Sequence, residues 1–291
     1  MGALREFVLR ESDTMKIVVT GSSGFLGRAL MKNLRNSALV AIGVSRRFVP
    51  GMLQVTSYDE APGGDVLVHL GEASDRKYAD AHAPSYERRA LATLERLQAK
   101  GFERIVYASS AVLYGDQAES PRKVGDPVYQ TDAYTRLKLA SERTVLARKG
   151  AVARLSNLYG PGMAEGNVVS AILGQLPADG PIRVLDTAPV RDFLTVEDAA
   201  RALTAMIAFS SNGLFNVGSG QGVSIFKLAT QMLVAAGQAE RKIDSIRASN
   251  KFSQLVLDIA QTETTLGWRP TVSLADGIAS LVNNEHRKGV R

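Results

Sequence analysis

The chain has 291 residues, 35 of them Lys or Arg and 29 Asp or Glu, giving a formal net charge of +6, and it contains no cysteine. That length allows one large domain, or a main domain with a smaller lobe, and is ample for a sizeable core. The missing cysteine excludes disulfides, thiolate nucleophiles and thiolate zinc sites, and His69, His82 and His286 show no metal-ligand spacing, so no metal is expected. No apolar run approaches the ~20 residues that cross a bilayer. The basic residues are spread along the chain with no dense stripe, so neither a membrane nor a nucleic acid is expected as partner.

Met1 to Thr14 carries charge throughout, is not a signal peptide and reads as an N-terminal extension; a cytoplasmic location is expected. Lys16–Thr20 is a β-branched run ending at glycine, read as a buried strand. Phe25–Leu34 has helical spacing, and Leu39–Val44 and Asp65–Leu70 are further strands. Pro84–Lys100 is a long amphipathic helix closed by Gly101. Arg104–Ala108 is a strand, Asp132–Arg148 a helix and Ala151–Leu155 a strand. The second half is looser: helices are expected over Val168–Leu176, Val196–Ala208, Ile225–Ala236 and Leu274–Glu285, with strands at Ile182–Leu185 and Gly213–Val217. Strands alternating with helices imply an α/β fold, a doubly wound parallel Rossmann sheet with a smaller substrate-binding lobe.

Thr20-Gly21-Ser22-Ser23-Gly24-Phe25-Leu26-Gly27 places G-x-x-G-x-x-G between the first strand and the first helix. Glycine lets the turn tighten and lets backbone N–H groups approach a pyrophosphate at a helix N-terminus. Gly21, Ser23, Gly24, Phe25, Leu26 and Gly27 are therefore candidate dinucleotide-binding residues. At the end of the second strand, where an NAD site usually carries Asp or Glu, the chain reads Val44-Ser45-Arg46-Arg47. Ser45, Arg46 and Arg47 would suit a 2′-phosphate, so NADP(H) is expected, with NAD(H) as the alternative.

Tyr134-Thr135-Arg136-Leu137-Lys138 sets a phenol and an ammonium one helical turn apart on one face. A neighbouring cation favours the phenolate, which suits tyrosine to acid/base work. Upstream, Ser109-Ser110 leaves a strand at the end where parallel sheets bind ligands.

Together these segments resemble the extended short-chain dehydrogenase/reductase family, and more narrowly its NAD(P)-dependent epimerase/dehydratase branch. The resemblance runs from Met15 to about Ile278. TGSSGFLG, VYASSAVLYG and YTRLK carry it, with RLSNLYGPG (154–162), PVRDFLTVEDAARAL (189–203), FNVGSG (215–220) and LGWRP (266–270). It implies that Ser110 contacts the substrate oxygen, Tyr134 is the acid/base, and Lys138 holds the nicotinamide ribose, while Ser109 supports the turn. It assigns Leu70 and Gly71 to the nicotinamide region and Asn157, Asn167 and Arg191 to the sugar diphosphate. By their chemistry alone, Asn157 could instead cap a turn, and Arg191 could pair with Asp192 or Asp198.

Several positions depart from the family pattern. Dehydratases place an Asp-Glu pair after the serine, whereas Ala111 and Val112 stand here. Gln54-Val55-Thr56-Ser57 lacks the usual Asp at the adenine. His69-Leu70-Gly71-Glu72-Ala73 replaces H-L-A-A, leaving Glu72 to touch substrate or cap a helix. The expected function is an NADPH-dependent ketoreductase acting on a nucleotide-linked 4-keto-6-deoxy sugar. An NAD-dependent 4-epimerase is the alternative, and a catalytically silent cofactor-binding protein is disfavoured by the intact Tyr134 and Lys138. Residues 15–160 and 191–222 are expected to form the dinucleotide domain, and 161–190 and 223–291 the lobe. A homodimer is expected, with Leu91, Leu94 and Leu97 facing either the dimer axis or the sheet.

Overall fold

The apolar runs of the first half become the strands of one parallel sheet. In the computed structural model, which describes residues 15–36, 39–209, 212–249 and 251–289, the chain opens with β1 (Lys16–Thr20), α1 (Phe25–Asn36), β2 (Val40–Ser45), β3 (Leu53–Gln54) and β4 (Val66–His69). It continues with α2 (Arg76–His82), α3 (Ser85–Gln98), β5 (Arg104–Ser110), α4 (Ala133–Leu146) and β6 (Ala151–Leu155). Then come β7 (Asn157–Tyr159), α5 (Val168–Leu173), β8 (Ile182–Val184), β9 (Val190–Thr195) and α6 (Val196–Ala208). The last elements are β10 (Gly213–Val217), β11 (Gly222–Ser224), α7 (Ile225–Ala235), β12 (Ile243–Ser245), β13 (Gln254–Leu255), α8 (Ala260–Leu266) and α9 (Leu274–Gly289). The expected extension at 1–14 lies outside the described residues.

The main sheet has seven strands in the order β10-β6-β5-β4-β1-β2-β3, each pairing parallel to its neighbours. The chain first builds outward from β1 through β2 to β3, then returns to β4 on the other side. That reversal opens a crevice beyond the carboxyl ends of β1 and β4, where such sheets take ligands. All four residues of β4 and all five of β6 are buried, as expected of strands covered on both faces.

Alternate residues feed two different cores. Ile17, Val19, Val66, Val68 and Val106 pack on one face with Leu30 and Leu34 of α1 and Leu203 and Met206 of α6. Val18, Leu67, Ile105 and Val152 pack on the other with Leu94 and Leu97 of α3 and Val145 of α4. Leu94 and Leu97 thus face the sheet, one of the two placements open to them. The helix expected over 84–100 is preceded by the separate α2, whose seven residues are too short to show periodicity. Its start is fixed by Asp75, whose carboxylate accepts from the N–H groups of Lys77 and Tyr78.

A third core gathers Val169 and Ile172 of α5, Leu228 and Met232 of α7, and Ile278, Leu281 and Val282 of α9 around Phe193 of β9. β9 stands outside the main sheet and pairs with β7, β11 and β13. Leu266 and Trp268, although late in the chain, pack into the first core. Two aspartates fasten these parts. Asp192 is buried and accepts from Ser219 N at 2.7 Å, Ser219 Oγ at 2.8 Å, Gly220 N at 3.1 Å and Leu257 N at 3.3 Å. Burial pushes its carboxyl above the usual range, against the pull of these donors. Asp198 accepts from Thr271 N, Thr271 Oγ and Val272 N and pairs with Arg201 at 2.5 Å, while its carbonyl accepts from Trp268 Nε1.

Replacing Asp192 with Ala strands the buried Leu257 N and three part-buried donors of Ser219 and Gly220 at once. We expect Asp192→Ala to cost roughly 3 kcal/mol and to lower the calorimetric Tm by about 5–10 °C. An unchanged Tm would remove Asp192 from its fastening role.

Candidate active site

The glycine loop is shaped by contacts that leave no room for a side chain. Gly21 has φ +73, and a Cβ there would lie 2.4 Å from Leu70 O; one on Gly27 would lie 2.2 Å from Gly21 O. The loop after β4 and the first turn of α1 therefore both close against the backbone of Gly21. Gly24 N donates to Gly21 O, and Arg28 N to Gly24 O, each at 2.9 Å, which starts α1 directly at the loop. The result is a backbone cradle at a helix N-terminus, with Phe25 and Leu26 half-buried beside it. This geometry fits a dinucleotide pyrophosphate.

At the end of β2 the three candidate residues divide. Ser45 is fully buried and donates its Oγ to Ser23 Oγ at 2.7 Å, so its hydroxyl braces the glycine loop. Arg46 and Arg47 are exposed, and the Arg46 guanidinium lies 5.1 Å from the centroid of the Tyr58 ring. That ring also explains Gly71, since a Cβ there would lie 2.5 Å from Tyr58 Cδ2.

The phenol and ammonium come from the first turns of α4. A capping box sets the helix start: Asp132 accepts from Thr135 N at 2.8 Å, and Thr135 Oγ1 accepts from Asp132 N at 3.0 Å. Lys138 Nζ then reaches across to donate to Ala108 O of β5 at 2.9 Å, two residues before Ser110. It lies 5.8 Å from the Tyr134 ring centroid. Ser110, Tyr134 and Lys138 are thereby gathered at the carboxyl end of β5.

The two adjacent serines are separated by their partners. Ser109 donates its Oγ to Glu142 Oε1 at 2.5 Å. Arg154 of β6 grips the same carboxylate with Nε at 2.9 Å and Nη2 at 2.7 Å, all three side chains being buried. Ser110 keeps its hydroxyl at the half-buried strand end, where its oxygen accepts only from Val112 N, at 3.3 Å, among the described bonds.

Glu72 neither caps a helix nor faces the crevice as a substrate contact. The cap of α2 is Asp75, and the Glu72 side chain is 4% exposed. Its carboxylate meets Lys138 Nζ at 3.1 Å, Tyr107 OH at 2.5 Å and Ser141 Oγ at 2.9 Å. Burial works to raise its pKa, but Lys138, His69 and the Tyr107 hydroxyl outweigh it and hold the carboxyl below its ordinary range. Burial likewise works to lower Lys138, and Glu72 reverses that, raising it. Tyr107 is driven well above its ordinary value by burial and by the Glu72 charge. His69 shares a 2.7 Å hydrogen bond with Thr20 Oγ1 through Nδ1 and has Nε2 4.0 Å from Glu72. This arrangement was missed in the sequence because its members are 35 and 66 positions apart along the chain from Glu72 to Tyr107 and Lys138.

The substrate-side candidates sit apart from one another. Asn157 is exposed and donates its Nδ2 to Asp192 O at 3.1 Å, on a strand beside β9. Asn167 caps α5, its Oδ1 accepting from Ser170 N at 2.9 Å and its Nδ2 donating to Ala164 O at 2.7 Å. Arg191 pairs with Asp116 at 3.1 Å and donates to Ser253 Oγ at 2.8 Å. The aspartates expected as its alternative partners, Asp192 and Asp198, are occupied elsewhere. Among the described residues no group of three or more His, Asp or Glu could hold a metal ion, and no helix is long and apolar enough to cross a membrane.

A model of the NAD dependent epimerase/dehydratase family matches residues 17–218. The chain belongs to that family. It is an NAD(P)-dependent enzyme of the extended short-chain dehydrogenase/reductase type. It is 22% identical to a dTDP-4-dehydro-6-deoxyglucose reductase of Escherichia coli, covering 92% of this chain and 96% of that one. It is 27% identical to a GDP-6-deoxy-D-mannose reductase of Pseudomonas aeruginosa, covering 93% and 97%. With a putative UDP-glucose 4-epimerase of Methanocaldococcus jannaschii the identity is 26%, over 92% and 97%. Among solved structures, MoeE5 with UDP-glucuronic acid and NAD superposes with a TM-score of 0.83 at 25% identity, covering 94% and 99%. RMD from Pseudomonas aeruginosa complexed with NADPH gives 0.81 at 24% identity, covering 94% and 100%.

The buried, neutral His69 makes the site acid-sensitive. Burial, the largest cause, lowers its pKa from 6.5 to about 4. A depressed folded value means its contribution is full above about pH 6.5 and is lost as the pH falls towards 4, because the unfolded chain takes up the proton first. The maximum linked to this difference is roughly 3 kcal/mol. In urea unfolding, His69→Gln should therefore lose less stability than wild type between about pH 7 and about pH 4.5. Parallel losses would refute the assignment.

Proposed function

We propose that this protein is an NADPH-dependent ketoreductase that reduces a 4-keto-6-deoxy sugar carried on a nucleoside diphosphate. The observation that carries the reading is the end of β2. Two exposed arginines, Arg46 and Arg47, stand there with no carboxylate, an environment that attracts a 2′-phosphate and would not hold a ribose 2′-hydroxyl as an acid does. The two reductases named among the relatives support it.

When bound, the reduced nicotinamide supplies the hydride for the carbonyl carbon. The chain provides the rest. Ser110 donates a hydrogen bond to the carbonyl oxygen and fixes its position. Tyr134 gives that oxygen its proton and recovers one from solvent. Lys138, already anchored on Ala108 O and Glu72, uses its remaining N–H to hold the cofactor ribose. Ala111 and Val112 after Ser110 offer no acid/base group for eliminating water, so the reaction ends with the alcohol. On the substrate side, Asn157, Asn167 and Arg191 border the nucleotide-sugar site. Arg191 would exchange its Asp116 partner for a phosphate oxygen, which a guanidinium can also grip with two parallel N–H groups.

The test mixes purified protein with NADPH and dTDP- or GDP-linked 4-keto-6-deoxy sugars and follows loss of NADPH. Oxidation with at least one is expected, with Tyr134→Phe lowering kcat by about 10²–10⁴-fold. Absence of oxidation, together with interconversion of a UDP-hexose pair, would reject the reading. Arg46→Glu with Arg47→Glu should raise the KM for NADPH by on the order of tenfold and leave that for NADH little changed. Equal effects on both cofactors would detach the arginines from the 2′-phosphate.

A further inference from the structure

An acid/base pair of this kind needs an ammonium within reach of a phenol and a ribose. It does not need a buried carboxylate on that ammonium. Glu72 supplies one, from a position where the family pattern H-L-A-A has a small apolar residue and so the fold does not demand a charge. Sequestering a carboxylate is costly unless every lone pair is met. Here Lys138, Tyr107 and Ser141 meet it at hydrogen-bond distance, from β5 and from two points on α4 one turn apart. The site is therefore built to keep a negative charge one hydrogen bond away from the group that would hold the nicotinamide ribose.

We propose that Glu72 is a positioning residue that sets the charge of the cofactor site: by balancing Lys138 it removes a repulsion that would act against the oxidised, positively charged nicotinamide ring and not against the neutral reduced one. The two cofactor forms differ by one unit charge at the ring, so the ratio of their affinities reads the local potential directly. An unbalanced Lys138 ammonium would repel the oxidised ring. With Glu72 in place the pair is neutral. The other groups facing it are His69 from β4, Tyr107 from β5, Tyr86 from α3, and Tyr134 and Ser141 from α4; burial keeps His69 neutral and pushes the Tyr107 and Tyr86 hydroxyls towards their protonated form. Arg46, over the Tyr58 ring, is the next cation outward. Sparing the oxidised form that repulsion favours departure of hydride from the reduced cofactor towards a carbonyl, which is the direction of the proposed ketoreductase. The inference rests on that reading only in taking Tyr134 and Lys138 as the acid/base pair, and is independent of the sugar.

The experiment titrates NADP+ and NADPH, with NAD+ and NADH in parallel, into wild type and Glu72→Gln by calorimetry without substrate. The expected result is a rise in the ratio Kd(NADP+)/Kd(NADPH) on the order of tenfold in Glu72→Gln, with Glu72→Asp restoring most of the wild-type ratio. A ratio unchanged in folded Glu72→Gln overturns the proposal and leaves Glu72 a fastener of the β4 loop to α4. Should Glu72→Gln fail to fold, the double variant Glu72→Ala with Tyr107→Phe removes the carboxylate together with the hydroxyl it would strand, and Ser141 can donate back along its own helix. The same rise is expected there. If neither variant folds, the carboxylate is a structural requirement and the proposal falls. Failure of wild type to bind any of the four nucleotides would instead overturn the reading of the site.

Discussion

One ammonium joins three elements that the chain keeps far apart. Lys138 is carried by α4, hydrogen-bonds the backbone of β5 through Ala108 O, and meets the loop after β4 through Glu72. Each contact is short and screened from water, so electrostatic attraction is stronger here than at the surface, set against the cost of burying the two charges. The helix bearing Tyr134 is set against the strand bearing Ser110 by this group together with the Ser109 bond to Glu142. The positions of the phenol, the serine hydroxyl and the ribose-binding donor then follow from a shared anchor, with little left to independent loops. Placing acid/base groups on helices and strands in this way holds them more tightly than loops would.

The cofactor side rests on a different kind of constraint, the absence of side chains. Gly21, Gly27 and Gly71 are each fixed by a neighbour that a Cβ would strike, namely Leu70 O, Gly21 O and the Tyr58 ring. The β1–α1 turn and the loop after β4 are thus two halves of one surface, packed backbone to backbone. A dinucleotide lying along that surface meets N–H groups and aromatic edges where bulkier residues would hold it off.

Local signals made part of this readable in the sequence. The strand-glycine-helix succession and the i, i+4 tyrosine and lysine are patterns written within eight residues, and their structural context followed from hydrophobic periodicity. The parallel sheet was legible for the same reason. What escaped was long-range partnership. Glu72 looked like a substrate contact or a cap, since nothing near it in sequence says that Lys138, Tyr107 and Ser141 converge on it. Ser45 was assigned to the phosphate site, and nothing in the sequence says that its hydroxyl closes onto Ser23. Arg191 was assigned to the substrate phosphates, with Asp192 or Asp198 as the alternative partners, and it pairs with neither aspartate but with Asp116, brought in from the turn beyond β5. The short strands β7, β11 and β13 were invisible, being two or three residues long and defined by pairing with β9, not by any pattern of their own. The family motif aspartates belong here too: Asp192 and Asp198 are anchors for distant backbone, which a motif match cannot distinguish from ligand contacts.

The clasp of Ser109 and Arg154 on Glu142 has a bearing on fidelity of assembly. Successive strand residues project to opposite sides, so sliding β5 by one position could set Ala108 in Ser109's place and Ser109 in Ser110's. With two neighbouring hydroxyls, the mouth of the crevice would still show a serine after that slip. Glu142 makes it conspicuous, because its buried carboxylate would lose the hydroxyl donor that Ser109 supplies. The clasp thereby acts as a registration pin against that slip, favouring the register in which Ser110 emerges at the mouth of the crevice.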